Sequence, residues 1–508
     1  MNRTTLSLIA GVTALAAVTG FAALDTPDAS GAGAGAVAAA RLPVERTTLV
    51  CPAPSDSDIA DTSYASFTPV TQGAGGDGTA TLRAAAGDSA ASAAGGKGGS
   101  GGKAGKGAQK AAKPVLAPRA PGAPVTGDAS GGDAPALVGT AEGRFAPGWT
   151  LQQTTEVAAG TGRGLLGVDC TAPDTDFWFP GASTADHRTD YLNLTNPDDS
   201  SAVVDIELYG KDGAVKSQVG EGITVAPHAS ERVLLSTLAD APQENLTAHV
   251  SVRSGRVGAA VQALDDKIGG DWLTAAEPAE ALVLPGIPKD ATSVRLIAFT
   301  PADADADLKV RLASPSGLIA PAGHDSVHLK GGATTAVDLG DLTRGEAGAL
   351  VLTQSGPPVP VTAALQVTRG KGGKQETAFI PATAPVTARA SSADGGEKGS
   401  TLSLTAPTAA AQVRVTASAG SGGGTAASKT YTIKAGATED VTAPVPSGLK
   451  GAYALTVEHL SGGPVYGARI LTATEEGVPG VTVQTLPDDR GTVFVPHADQ
   501  DVSVLQRS

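Results

Sequence analysis

One short phrase recurs along the chain and constrains its fold more than any other feature. Leu192-Asn-Leu-Thr195, Ile297-Ala-Phe-Thr300 and Leu402-Ser-Leu-Thr405 start 105 residues apart, and a proline follows each (Pro197, Pro301, Pro407). Each alternates apolar and polar residues over the length of a strand and then runs into a turn. Other landmarks keep a constant order around it. An apolar residue before proline opens each unit (Phe179-Pro180, Leu284-Pro285, Ile380-Pro381), and a second alternating strand follows the phrase (Val204 to Leu208, Leu308 to Leu312, Gln412 to Val415). Ile223, Val327 and Tyr431 come next, then Val233, Val337 and Val441. Last are Val257, Val361 and Val465 with Ala260, Ala364 and Ala468, each series at a spacing of 104.

A unit of roughly 100 residues carrying about seven short strands, with no sustained helical periodicity, predicts an all-β fold of tandem immunoglobulin-like β-sandwiches. The Cys–Trp–Cys signature of antibody domains is absent, so the likeness is one of architecture. Propeller blades and solenoid repeats are shorter than this period. The few aromatics, 3 Trp, 6 Tyr and 8 Phe, leave cores to be built from Val, Leu, Ile and Ala. A net charge of −14 argues against a nucleic-acid partner, because phosphate contacts need a basic face.

Thr4 to Leu24 is an almost unbroken apolar run, preceded by Arg3 and followed by Asp25 and Asp28. Its length suits a transmembrane helix, and its flanks favour export of the rest of the chain. It reads either as a retained signal anchor or as a signal peptide cut near Ala38-Ala-Ala40. The expected organisation is then a signal anchor or signal peptide (1–40), an N-terminal β module (41–172) and β-sandwich repeats at 173–278, 279–372 and 373–476. A C-terminal strand pair (477–508) follows. Within the N-terminal module, residues 73–132 turn Gly/Ala-rich, with Lys97, Lys103, Lys106, Lys110 and Lys113 spaced through them, and read as a disordered insertion. Exported chains form disulfides, and Cys51 and Cys170, the two cysteines, are expected to pair across that insertion.

Chemistry is sparse. No nucleophile elbow, zinc-protease helix, phosphate loop or dinucleotide fingerprint is present. His324 and His328 are four apart but fall in a loop and a strand start. Asp303, Asp305 and Asp307 open like a calcium loop, yet Leu308 stands where glycine is required and Ser314 where the closing acid is required. Asp186, His187, Arg188 and Asp190 cluster without a nucleophile and read as a polar turn. No catalytic, cofactor-binding or metal residue is assigned. Asn193-Leu-Thr195 and Asn245-Leu-Thr247 match glycosylation acceptors but are set aside in a chain of bacterial composition.

The N-terminal membrane segment, Cys51-Pro52 near the start of the exported part and the tandem β-rich units together resemble an uncharacterised family of actinobacterial cell-envelope proteins. That resemblance implies an extracytoplasmic location, anchored by the N-terminal helix or secreted if it is cleaved, and a non-enzymatic role without cofactor. The expected function is a scaffold or protein-binding ectodomain whose partners are other envelope proteins. A carbohydrate- or wall-polymer-binding protein is the alternative, with Trp149, Trp178 and Trp272 as its aromatic faces, and an envelope enzyme is the weaker one.

Overall fold

The computed structural model describes residues 40–85, 115–217, 219–393, 400–475 and 478–495. The apolar run at Thr4 to Leu24 and the five lysines of the insertion lie outside these residues. Among the described residues no helix is long and apolar enough to cross a membrane. The fold is all-β and antiparallel, interrupted by single 3-10 turns such as Gly143–Phe145 and Leu235–Leu238.

A small ribbon, β1 (Ala40–Pro43) with β37 (Thr492–Val495), belongs to one unit of the chain, and residues Pro43–Thr492 form one compact body. In the ribbon the Arg41 guanidinium lies 5.7 Å from the Phe494 ring centre, and Phe494 is exposed.

The body contains four sheet pairs. The first is built from β2 (Arg46–Cys51), β3 (Ala60–Phe67), β4 (Ala80–Ala84), β5 (Val125–Ser130), β6 (Leu137–Glu142), β7 (Thr150–Val157) and β8 (Gly164–Asp169). The second has β9 (Asp176–Ala182), β10 (Arg188–Thr195), β11 (Ala202–Gly210), β12 (Gly213–Val215), β13 (Ile223–Val225), β14 (Ser230–Leu234), β15 (Leu246–Ser254), β16 (Gly258–Asp265) and β17 (Gly269–Leu273). The third has β18 (Ala281–Ile287), β19 (Ala291–Phe299), β20 (Ala306–Ser314), β21 (Gly317–Ile319), β22 (Ser326–Leu329), β23 (Thr334–Gly340), β24 (Gly348–Gln354), β25 (Thr362–Lys371) and β26 (Lys374–Pro381). The fourth has β27 (Arg389–Ser392), β28 (Ser400–Ala406), β29 (Ala411–Ala417), β30 (Gly423–Thr425), β31 (Ala427–Ile433), β32 (Ala437–Val441), β33 (Ser447–Lys450), β34 (Leu455–Gly462), β35 (Tyr466–Glu475) and β36 (Val478–Leu486).

One topology serves all four. The sheets run β2-β6-β4 with β5-β3-β7-β8, β9-β15-β11-β12 with β14-β10-β16-β17, β18-β24-β20-β21 with β23-β19-β25-β26, and β27-β34-β29-β31 with β32-β28-β35-β36. The N-terminal module thus shares the strand order of the three repeats. Its first four-stranded sheet buries Gln152, Gln153, Thr154 and Thr155 on β7 instead of an apolar alternation, which hides the kinship in the sequence. Cys51, at the end of β2, is disulfide-bonded to Cys170, just past β8, with Cα atoms 4.5 Å apart.

Three expectations are corrected. The insertion is narrower than residues 73–132, because β4 and β5 lie inside that interval. The C-terminal strand pair does not form: Val481-Thr-Val483 lies on β36, which pairs with β35 and completes the fourth sheet pair, whereas Val493-Phe-Val495 lies on β37 against β1. The third correction concerns register. Leu192 and Leu194 on β10 and Leu402 and Leu404 on β28 enter the cores of their sheet pairs, but on β19 the core residues are Leu296 and Ala298. Ile297 and Phe299, which carry the recurring phrase in that copy, point the other way. A one-residue slip exchanges the faces of a strand. Here both faces are buried (Ile297 0%, Phe299 1%), so hydrophobic alternation did not fix the register.

The opposite face of β19 is buried because the sheet pairs close into a ring. Their last strands meet in succession, β8 with β17, β17 with β26, β26 with β36, and β36 back with β8. The first strand of each pair lies against the last strand but one of the next in the same cyclic order: β2 on β16, β9 on β25, β18 on β35 and β27 on β7. Each junction has an apolar part. Ala60, Val157, Leu166 and Val168 pack on Ala260 and Trp272, and Phe379 joins the second core. Ala468, Ile470, Val481 and Val483 join the third core, and Ala65 and Phe67 pack on Ala393 and Ala454. Burial of side chains this size stabilises by about 1.5–3 kcal/mol each, which favours one rigid body over a string of modules.

Candidate functional site

Two polar features sit at the ring's centre. The Asp271 carboxylate is fully buried and accepts the N–H groups of Gly167 at 3.0 Å and Phe379 at 3.4 Å, together with the Thr482 hydroxyl. One side chain therefore ties four sheet pairs together, and burial holds its carboxyl well above the ordinary range. Nearby, Arg163 donates to the carbonyls of Lys267 (3.1 Å) and Gln375 (3.0 Å) and lies 3.8 Å from the Glu376 carboxylate. Glu376 is 1% exposed, and burial pushes its carboxyl up to about 7 against the opposing pull of Arg163. Gly164 and Gly269 make room for it: a Cβ on either would stand within 2.4 Å of Glu376 Oε2, and both have positive φ. Asp271 and Glu376 are buried, Arg163 is partly exposed, and together they link the sheet pairs.

The accessible site is a cleft of about 350 Å³ between the second and third sheet pairs. Alternation along two strands makes one wall. On β19, Val294 and Leu296 enter the core, so Ser293 and Arg295 face outward. On β25, Leu365 and Val367 enter the core, so Gln366 and Thr368 face outward, directly across the ladder from Arg295 and Ser293. The same face turns apolar further along, at Ile297, Phe299 and Ala364, where the junction closes.

The floor comes from the second sheet pair. Arg188, at the start of β10, is buried and forms a two-pronged ion pair with Asp190, Nε to Oδ1 at 2.9 Å and Nη2 to Oδ2 at 2.8 Å. Ser183 N–H donates to the same carboxylate at 2.8 Å. Burial raises the Asp190 carboxyl, opposed by Arg188 and by the Ser183 N–H. His187 Nε2 stands 3.5 Å from Asp265 Oδ2, while Asp265 Oδ1 accepts the N–H groups of Lys267 and Ile268 and shapes the turn between β16 and β17. Lys267, Glu244 and Asn245 form the rim.

Of the polar cluster that the sequence offers, His187 and Arg188 line this cleft and Asp190 braces Arg188, whereas Asp186 is exposed beside them. Arg295, Gln366 and Lys267 escaped notice. The signal for Arg295 was a lone cation inside the apolar run Val294-Arg-Leu-Ile297, legible only once both faces of β19 are known to be buried. Elsewhere, Asp307 and Asp305 flank the exposed His328 at 2.8 and 3.6 Å. No group of three or more His, Cys, Asp or Glu suited to a metal occurs among the described residues. Asn193 is buried in its strand, and its side chain donates to the Tyr191 carbonyl.

The tryptophans divide. Trp149 is buried in the first core and donates to Ser66 Oγ at 2.8 Å, and Trp272 is buried at the junction of the first and second pairs. Trp178 stacks on His249 with ring centres 3.8 Å apart, beside Tyr209 and Phe299, and His249 bridges Asp176 (2.6 Å) and Glu207 (3.1 Å).

Residues 125–444, which run from β5 of the first sheet pair into the fourth, match DUF5719, a family of unknown function. The chain belongs to that family. The DUF5719 match covers the second and third sheet pairs whole, so the cleft and both its walls lie within the family's span. No curated protein matches the chain.

Proposed function

We propose that the chain is a non-catalytic scaffold or protein-binding ectodomain of the cell envelope, held outside the membrane by its N-terminal apolar segment or released by its cleavage. The observation that carries this reading is the closed ring. Four units that bury their mutual junctions form a rigid platform, and their loops lie outside the packed centre, where partners can be bound without disturbing the core. The disulfide between Cys51 and Cys170 suits an oxidising compartment.

We read the four sheet pairs as immunoglobulin-like sandwiches in architecture, two antiparallel sheets enclosing one core. Their strand order is their own, since the first and second strands of each unit lie in different sheets.

In the cleft the two inner acids are engaged structurally, Asp190 with Arg188 and Asp265 with its own turn, and only Glu244 on the rim is an exposed acid among the lining residues, which favours binding over acid–base chemistry. The polymer-binding alternative loses all three of its aromatic faces, because Trp149, Trp178 and Trp272 are buried, Trp178 against His249 and Phe299. Mild cross-linking of the membrane-anchored protein followed by purification separates the readings. Recovery of defined envelope proteins supports the scaffold. Retention of the chain on purified cell wall, with no protein partner recovered, overturns it in favour of polymer binding.

A further inference from the structure

The cleft between the second and third sheet pairs holds two cations without an ion-pair partner among the described residues. Asp190 is paired with Arg188, Asp265 Oδ1 accepts two backbone N–H groups, and His187 Nε2 lies 3.5 Å from Asp265 Oδ2. Arg295 and Lys267 have no ion-pair partner among the described residues, and Asp338, across the ladder from Arg295, accepts the N–H of Gly340 instead. Against these two cations the rim offers one exposed acid, Glu244. The wall beside Arg295 carries Ser293, Gln366 and Thr368, which are neutral donors and acceptors with no side-chain partner among the described residues.

A half-buried guanidinium without a counter-ion gains most from an anionic oxygen, and Arg matches carboxylate and phosphate geometry with two parallel N–H donors. A row of hydroxyls and an amide suits a ligand that is itself rich in hydroxyls. The volume of about 350 Å³ falls in the range of small-ligand sites and exceeds what a bare ion requires.

We propose that this cleft binds an anionic sugar unit, with Arg295 and Lys267 on its carboxylate or phosphate and Ser293, Gln366 and Thr368 on its hydroxyls. The buried Arg188–Asp190 pair fixes the floor, and Arg188 is a positioning residue. This goes beyond the scaffold reading, which concerns protein partners and is tested by cross-linking, so either can fail without the other.

The test is calorimetric titration of the full-length protein with glucuronate, glucose 6-phosphate, glucose and inorganic phosphate. At least one anionic sugar binds saturably, glucose does not, and inorganic phosphate binds more weakly than the sugar phosphate. Arg295→Gln and Lys267→Gln each weaken binding by about tenfold, as expected when a charge-assisted bond is lost. Arg414→Gln, which alters an exposed ion pair of the fourth sheet pair, leaves it unchanged. Comparing the two sugars identifies whether the native anion is a carboxylate or a phosphate. The proposal is overturned if neither anionic sugar binds, if glucose or inorganic phosphate binds as tightly, or if both variants bind like the unaltered protein while their melting temperatures match it.

Discussion

Asp271 Oδ1 accepts the Gly167 N–H at 3.0 Å, and this hydrogen bond crosses from the second sheet pair to the first at the centre of the ring. The other oxygen reaches Phe379 of the third pair, and Thr482 of the fourth supplies its hydroxyl. Asp271→Ala leaves two buried N–H groups without acceptors, at about 1–3 kcal/mol each. Chemical denaturation should show a loss of about 2–5 kcal/mol. Asp271→Asn, with one acceptor retained, should lose less. A loss no larger than that of an exposed substitution would show that the four pairs do not depend on this contact.

Glu376 makes stability depend on pH. Its carboxyl is raised from 4.5 to about 7 in the folded protein, so between those values the folded state holds a proton that the unfolded state has released. Stability therefore falls as pH rises from 4.5 to about 7 and levels off above. Glu376→Gln keeps the neutral shape and removes this slope. Melting curves of the two proteins should coincide below pH 4.5 and diverge above pH 7, with the Gln form more stable by about 3 kcal/mol. The opposite order at pH 8 would mean that the ion pair with Arg163 outweighs the burial of the charge.

The Cys51–Cys170 bond closes a loop of 119 residues. In the chain-entropy account such a bond stabilises by about 4–5 kcal/mol. Reduction, or Cys51→Ser with Cys170→Ser, should lower the melting temperature of the full chain and expose the first sheet pair to protease before the others. Equal protease sensitivity throughout would place the effect on the whole ring instead.

Ending the chain after Gly477 removes β36. That strand pairs with β35 and packs on both β26 and β8, and it carries Thr482 to Asp271. The shortened chain should lose its single cooperative unfolding transition and expose apolar surface at two junctions. Unchanged melting and solubility would contradict the closed arrangement.

How much of this was legible beforehand depends on which surface a residue faces. Positions such as Val204, Val310 and Val413 announced strands because one side is dry and the other wet, or nearly so. Where both sides are dry, as at Ile297 and Phe299, alternation loses its meaning and the strand is read one residue out of register. Gly167 and Asp271, which hold the centre, carry no local pattern at all. Their importance comes from strands more than a hundred residues apart meeting on one axis. The first sheet pair stayed hidden because residues 86–114 interrupt its spacing and polar residues fill β7. Arg188 and His187 were visible as a polar cluster, but the opposite wall of their cleft is supplied by the next unit, which no short window spans.

The fourth sheet pair packs back on the first, and this limits how the chain can change. An open tandem array can gain or lose a member at either end with little effect on those that remain. A closed circle has no end at which to add one: a fifth unit would need different angles at every junction, and a third-only circle would strand the Asp271 oxygens without their donors. Variation in length is thereby steered into the connections between strands, and in the sequence the lysine-rich segment falls between β4 and β5. The count of units is a property of the geometry, and each unit is fixed in number by the other three.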